Sequence, residues 1–219
     1  MPQVVAVLRQ TELFADLDDE VLERLAERAL TRRLTKGRDV MVEGEKGDTM
    51  GVVVEGRVRV VIRSRDGAEA ELGRIGPYGH FGLVALLDGG VRTASVETVE
   101  PSVIVTLRRD DVYPLLQTEP RLLEAVFDSL CGLIRGADLA FADHRFLTLK
   151  SRIAKALLTM DSDSPGQRFT QADLANRVGA TRQSVNQVLR EFERRGFIKH
   201  EGRVIVILRR DELERLAGG

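Results

Sequence analysis

The residues best suited to chemistry lie in one run near the C-terminal end: Thr170-Gln-Ala-Asp-Leu-Ala-Asn-Arg-Val-Gly-Ala-Thr-Arg-Gln-Ser-Val-Asn-Gln-Val-Leu-Arg190. Its spacing predicts two helices joined by a short turn. Thr170 stands where it can cap the first helix, with Asp173 three residues on as an acidic variant of a capping box. Leu174, Ala175 and Val178 form the buried face of that helix, and Gly179 supplies the permissive backbone of the turn. Thr181 caps the second helix, whose inner stripe is Val185, Val188, Leu189 and Phe192. The outer face is then Arg182, Gln183, Asn186 and Gln187, with Arg190 beyond. These side chains suit the reading of base edges. Arginine can donate two hydrogen bonds to guanine, and Gln and Asn pair with the adenine edge. Thr170, Thr181 and Ser184 are small hydroxyls placed to meet phosphates, which fix register without carrying sequence. Gly196 to Ile207 reads as a hairpin whose turn, Lys199 to Arg203, forms a basic wing suited to a nucleic-acid backbone.

Other chemistries find little support. His80, His144 and His200 share no metal-ligand spacing. The single Cys131 excludes an internal disulfide framework and a multi-cysteine metal or cluster site within one chain, and favours a reducing setting. Gly73, Gly76, Gly79 and Gly82 recur every three residues, but in a strand-rich stretch rather than the strand-to-helix turn of a dinucleotide fingerprint. No Walker loop, nucleophile elbow or His-Glu-x-x-His is present, so the chain reads as a non-enzyme.

Charge agrees with the C-terminal reading. The 219 residues sum to −1, but the balance is uneven. Residues 149–219 carry 14 basic and 9 acidic side chains, a net of +5, which leaves −6 on residues 1–148. A basic module beside an acidic body is the pattern of a nucleic-acid-binding unit attached to something else. Hydrophobic residues make up 43% of the chain, enough for a core, yet no apolar run approaches the roughly 18 residues a membrane helix needs. Met1 to Gln10 lacks the basic and apolar regions of a secretory signal.

The elements that position the reading face follow from periodicity. Thr11 to Arg33 has a helical pattern through Leu17, Val21, Leu22, Leu25 and Ala29, with Asp18 or Asp19 as cap. Between Gly37 and Gly90, which hold 12 of the 20 glycines, short alternating runs such as Met50–Val54, Val58–Ile62 and Leu72–Ile75 predict strands and tight turns. Arg63 to Gly67 reads as a hairpin connection. Val96 to Leu107 adds strand broken by Pro101. The fold class is therefore α+β, with an N-terminal all-β barrel, roll or sandwich. Arg121 to Leu147 predicts a proline-free helix of about 27 residues, about 40 Å long. Leu123, Val126, Leu130, Leu133, Ala137 and Ala140 form a coiled-coil-like seam on it, and that length favours pairing with a second copy. Ser151–Met160 is a further helix, ended by the turn-rich Asp161 to Gly166.

The order of a β-roll, a long dimer helix and a winged helix–turn–helix resembles the bacterial CRP/FNR family of transcription regulators. The resemblance rests on Phe169–Phe197, Ser151–Leu158, Val42–Asp48 and Gly79–Ala94. It implies an effector or sensor domain with a jelly roll like that of cyclic-nucleotide-binding proteins (1–118), a dimerisation helix (119–148) and a DNA-binding domain (149–219). It implies a cytoplasmic homodimer that binds a two-fold symmetric DNA site and recruits or blocks RNA polymerase. It implies base contacts at Arg182, Gln183 and Gln187. Gln183 and Gln187 replace the Glu and Arg typical of cyclic AMP receptor proteins, so a different DNA sequence is expected.

The effector is less legible. In this family an arginine neutralises the cyclic phosphate, amides and a hydroxyl complete the cradle, and a carboxylate accepts the ribose 2′-hydroxyl. Arg92, Thr93 and Gly82 match; Leu83 stands where the carboxylate is expected, and Ala137 and Asp138 replace the polar pair on the dimer helix. A hydroxyl left unpaired against Leu83 would cost roughly 1–3 kcal/mol. Cyclic AMP thus stays open as effector beside activity without it, and a ligand-binding module acting on a protein partner is the other class. The family's haem sensors use an N-terminal proline and a histidine; Pro2 is present, but His80 does not fall on the matching loop position.

Overall fold

The computed structural model describes residues 2–64, 69–163, 170–202 and 204–218. The first elements are α1 (Pro2–Gln10), α2 (Asp19–Arg28), β1 (Leu30–Leu34), β2 (Asp39–Met41), β3 (Thr49–Glu55), β4 (Val58–Arg63), β5 (Glu69–Ile75), β6 (His80–Phe81) and α3 (Leu83–Asp88). Then come β7 (Ser95–Thr98), β8 (Ser102–Arg108), α4 (Arg109–Val112), α5 (Leu115–Thr118) and α6 (Pro120–Phe146). The chain continues through α7 (Leu149–Asp163), α8 (Gln171–Val178), α9 (Arg182–Arg194), β9 (Ile198–Glu201), β10 (Val204–Ile207) and α10 (Arg210–Ala217). Contacts divide it into two units, Met1–Arg63 with Leu72–Arg135, and Ser64–Glu71 with Gly136–Gly219.

The first unit is built on two four-stranded sheets, ordered β1-β8-β3-β6 and β2-β7-β4-β5. Strand alternation sorts the side chains to two cores. Val53, Ile104 and Phe81 of the first sheet meet Met41, Val58 and Val96 of the second inside the roll. The neighbouring residues Met50, Val52, Val105 and Leu107 point the other way. There they pack under Leu8, Phe14, Leu22 and Leu25, with Leu86 of α3 and Leu122 and Val126 of α6. The strands predicted around Met50–Val54, Val58–Ile62, Leu72–Ile75 and on either side of Pro101 are all present.

The helix predicted over Thr11 to Arg33 is shorter. It runs from Asp19 to Arg28, and the chain turns into the edge strand β1 two residues later. Asp18 occupies the cap position, but its side chain makes no capping bond. The sequence patterns give no sign of helices α1, α3, α4, α5 and α10 or of strand β1. In α6 one residue of the seam needs correction. Val126 belongs to the unit's own core, so it does not lie on a free face. The large exposed apolar side chains of α6 are Leu123, Phe127 at 58%, Leu133 and Ile134 at 61% each, Leu139, Phe141 at 74% and Phe146. Of the predicted seam, Leu123, Leu133, Ala137 and Ala140 are exposed, and Leu130 is half-buried against the core. Cys131 is exposed.

In the second unit, Ile153, Ala154 and Leu157 of α7 pack on Leu174 and Val178 of α8 and on Val185, Leu189 and Phe192 of α9. The strand pair β9–β10 and Leu213 of α10 close this core. Helix α7 continues to Asp163, past the Met160 end expected for it. The rest of the expected turn to Gly166 lies outside the described residues, as do most of the Arg63–Gly67 connection, Phe169 and Arg203.

Candidate nucleic-acid interface and effector cradle

The reading helix is positioned by its caps. Asp173 N–H donates to Thr170 Oγ1 at 3.2 Å and Thr170 N–H donates to Asp173 Oδ2 at 2.9 Å, a complete capping box at the start of α8. Ser184 N–H donates to Thr181 Oγ1 at 3.2 Å and caps α9. Between them Gly179 adopts φ +61°, the left-handed conformation that ends α8. A Cβ there would also lie 3.1 Å from the His144 ring. With Val185, Val188, Leu189 and Phe192 buried, Arg182, Gln183, Gln187 and Arg190 are exposed and Asn186 half-exposed on the opposite face.

The hydroxyls have less freedom than the sequence suggests. Thr170 donates its one hydroxyl proton to Asp173 Oδ2 at 2.8 Å, so in this arrangement it accepts but cannot donate to a phosphate. Thr181 and Ser184 share a hydroxyl–hydroxyl bond of 2.9 Å, leaving one of their two protons for an outside acceptor.

Two braces missed by sequence reasoning fix α9. Lys150 of α7 pairs with Glu191 at 2.6 Å. In the wing, His200 donates its backbone N–H to Glu193 Oε1 at 3.1 Å, and its ring Nδ1 lies at the same distance. These contacts hold both carboxyls below the usual range: Glu191 through the hydrogen bond from Lys150, Glu193 through the backbone bond from His200. Neither pair had a local sequence signal, since the partners lie 41 and 7 residues apart. The wing cation Lys199 is exposed and lies 3.1 Å from Glu201.

The effector candidates separate. Arg92 is 6% exposed and donates to the carbonyls of Thr49 at 2.7 Å and Gly82 at 3.2 Å, and to Thr49 Oγ1 at 2.7 Å. Burial lowers its basicity and the carboxylates of Asp48 and Glu45 oppose that effect. Thr93 is exposed one residue on. Leu83 is 7% exposed and packs with Leu86, Leu107 and Val112 in the core. Its side chain is thus part of the apolar interior of the first unit. Ala137 and Asp138 are exposed on α6. Below the cradle, His80 Nε2 lies 3.1 Å from Ser129 Oγ of α6. Among the described residues, no group of three His, Cys, Asp or Glu could hold a metal ion. No helix there is long and apolar enough to cross a membrane.

A roll of two antiparallel sheets followed by a long helix and a winged helix–turn–helix defines a DNA-binding regulator with a sensor-type domain. The family model for the cyclic nucleotide-binding domain matches residues 31–119, and that for the Crp-like helix-turn-helix domain matches residues 151–216. A CRP-like cAMP-activated global transcriptional regulator of Mycobacterium tuberculosis is 29% identical, over 96% of this chain and 98% of its own length. The cyclic AMP receptor protein of Thermus thermophilus is also 29% identical, over 97% and 99%. A CRP/FNR-family regulator of known structure from the same organism superposes with a TM-score of 0.74 at 26% identity, covering 87% of this chain and 99% of that one. The chain belongs to the CRP/FNR family of DNA-binding transcription regulators.

Proposed function

We propose that the chain acts as a homodimer on a palindromic DNA site, with α9 of each copy in the major groove. Arg182, Gln183, Asn186 and Gln187 read bases; Thr181, Ser184, Lys199 and Arg203 meet phosphates, and Thr170 contributes mainly as a cap. The observation that carries this reading is the exposed polar face at the N-terminal end of α9, held by the Thr181 cap over a fully apolar inner stripe. A recognition helix presents its first turns to base edges, and two copies span successive grooves about 34 Å apart. RNA polymerase is the partner whose recruitment or exclusion turns occupancy into regulation.

A second, linked reading concerns the effector. Arg92, buried and ringed by oriented acceptors, supports a cyclic nucleotide held through its phosphate, with cyclic AMP the first candidate because the relatives above carry it in their names. Selection of bound duplexes from a random pool, with and without cyclic AMP, tests both readings. A palindromic consensus in both arms supports the dimer and removes the need for cyclic AMP. Enrichment only with cyclic AMP supports both. No consensus in either arm, with Arg182→Ala leaving partner capture unchanged, would favour a module that binds protein.

A further inference from the structure

A guanidinium has five N–H donors arranged along two forked edges. In Arg92 the end-on fork grips one residue: Nη1 donates to the Thr49 carbonyl and Nη2 to the Thr49 hydroxyl, both at 2.7 Å. The second Nη1 hydrogen goes to the Gly82 carbonyl at 3.2 Å. That leaves Nε–H and one Nη2–H, which lie side by side on the other fork and take no acceptor among the described residues. This is the pair of donors that meets two phosphate oxygens bidentately.

Two glycines lie close against the group, where Ala85 and Met41 also crowd them. A Cβ on Gly47 would fall 3.0 Å from Nε and Cζ of Arg92, and one on Gly82 would fall 2.9 Å from Nη1. Gly82 also has φ +81°, so it both opens α3 and lets its carbonyl reach the arginine. An arginine placed only to tie a loop would have no reason to keep one complete fork unspent. Thr49 itself is fixed: it begins β3 opposite Arg108 of β8.

We propose that Thr49 is a positioning residue for the effector site, which clasps the end-on fork of Arg92 so that the side-on fork faces a phosphodiester. This rests on the reading of Arg92 as phosphate ligand. It adds a residue that touches no effector yet sets affinity for its phosphate.

The test is titration calorimetry of cyclic AMP, and of cyclic GMP as a second probe, into the full-length wild type, Thr49→Val and Thr49→Ser, with thermal melts of each. Valine keeps the β-branched shape and the carbonyl but removes the hydroxyl; serine restores the hydroxyl. The expected result is a loss of about tenfold in affinity for Thr49→Val, from one hydrogen bond to a charged group. Thr49→Ser stays within about threefold of wild type, with melts unchanged. Equal affinity in Thr49→Val and wild type overturns the role of Thr49 and leaves the effector reading standing. Equal weakening in both variants overturns it too, because the hydroxyl would not be what counts. If the wild type binds neither nucleotide, the effector reading fails and the role of Thr49 fails with it.

Discussion

Single side chains divide this protein's chemistry into what the sequence displays and what only packing decides. Caps were legible because a threonine and the group it bonds lie three residues apart, within one helical turn. Thr170 with Asp173 and Thr181 with Ser184 both form as the spacing predicts. Leu83 was not legible in the same way: its position beside Gly82 suggested the cradle, and only the fold sends it into the core. Arg182 is expected to carry base discrimination. Arg182→Ala should weaken operator binding by roughly 1–3 kcal/mol and relax preference at one base position, as read by gel shift on single-base operator variants. Lys199→Ala should weaken all sequences alike and flatten the salt dependence by about one unit of slope. If Arg182→Ala weakened all sequences equally, its contact would be to phosphate. His80 gives a pH effect of defined sign. Burial pushes its imidazole below the ordinary value, against a smaller opposing pull from Glu12. Above about pH 6.5 both folded and unfolded forms are neutral there. As pH falls below that value the unfolded chain takes up a proton that the folded chain resists, so stability drops until the folded imidazole titrates as well. Urea midpoints at pH 7.5 and 5 should therefore fall more in the wild type than in His80→Phe. Equal falls would show that another group is the source.

Helices and strands were read well where alternation or a three-four stripe was strong, and poorly where charge hid the buried face. Strand β1 is Leu-Thr-Arg-Arg-Leu, largely exposed on a sheet edge, so no alternation marks it. Its neighbour α2 was overextended for the same reason: the polar strand continued the polar helix face. Helix α10 buries Leu213 among seven mostly charged or small residues, too little stripe to announce itself. In α6, residues 126/133/140 and 127/134/141 are both mainly apolar at seven-residue spacing. Of these the core of the first unit takes in only Val126, while Leu133 and Ile134 are equally exposed, because a helix pattern gives a face but not its neighbour. The turn between α8 and α9 is held from outside as well. The α6 residues His144 and Asp143 reach it and α7, His144 lying against Gly179 and in contact with Arg152, and Asp143 bonding Lys155 Nζ at 2.6 Å. The Thr181 cap is the element's own contribution. Thr181→Ala should cost about 1 kcal/mol in urea unfolding, while Thr181→Ser should cost little. A matching loss in DNA affinity is expected only for alanine, since serine still fixes the first turn. No difference between the two variants would assign the stability to the apolar stripe alone.

The whole molecule must supply what one chain leaves unfinished. Helix α6 has 27 residues, and its Phe127, Ile134 and Phe141 are exposed at seven-residue intervals. Leu123, Leu130 and Ala137 repeat at the same interval, so together they form an a/d pattern. Large apolar groups in such a row are costly in water: burying each side chain of this size contributes roughly 1.5–3 kcal/mol. The proposed second copy would cover the row with the same residues, as a two-fold axis requires, and that axis is also what a palindromic site demands of its reader. Dimerisation and operator affinity should therefore fail together. Ile134→Glu places a charge in the middle of the row while leaving the cores of both units untouched. Sedimentation should then give a monomer at micromolar concentration where the wild type gives a dimer, and binding to a palindrome should fall to that of a half-site. A control separates the two effects. Ile134→Leu keeps the row apolar and should keep both properties. A glutamate variant that stays dimeric would move the interface off α6, and one that is monomeric yet binds the palindrome at full strength would break the link between symmetry of the protein and symmetry of its site.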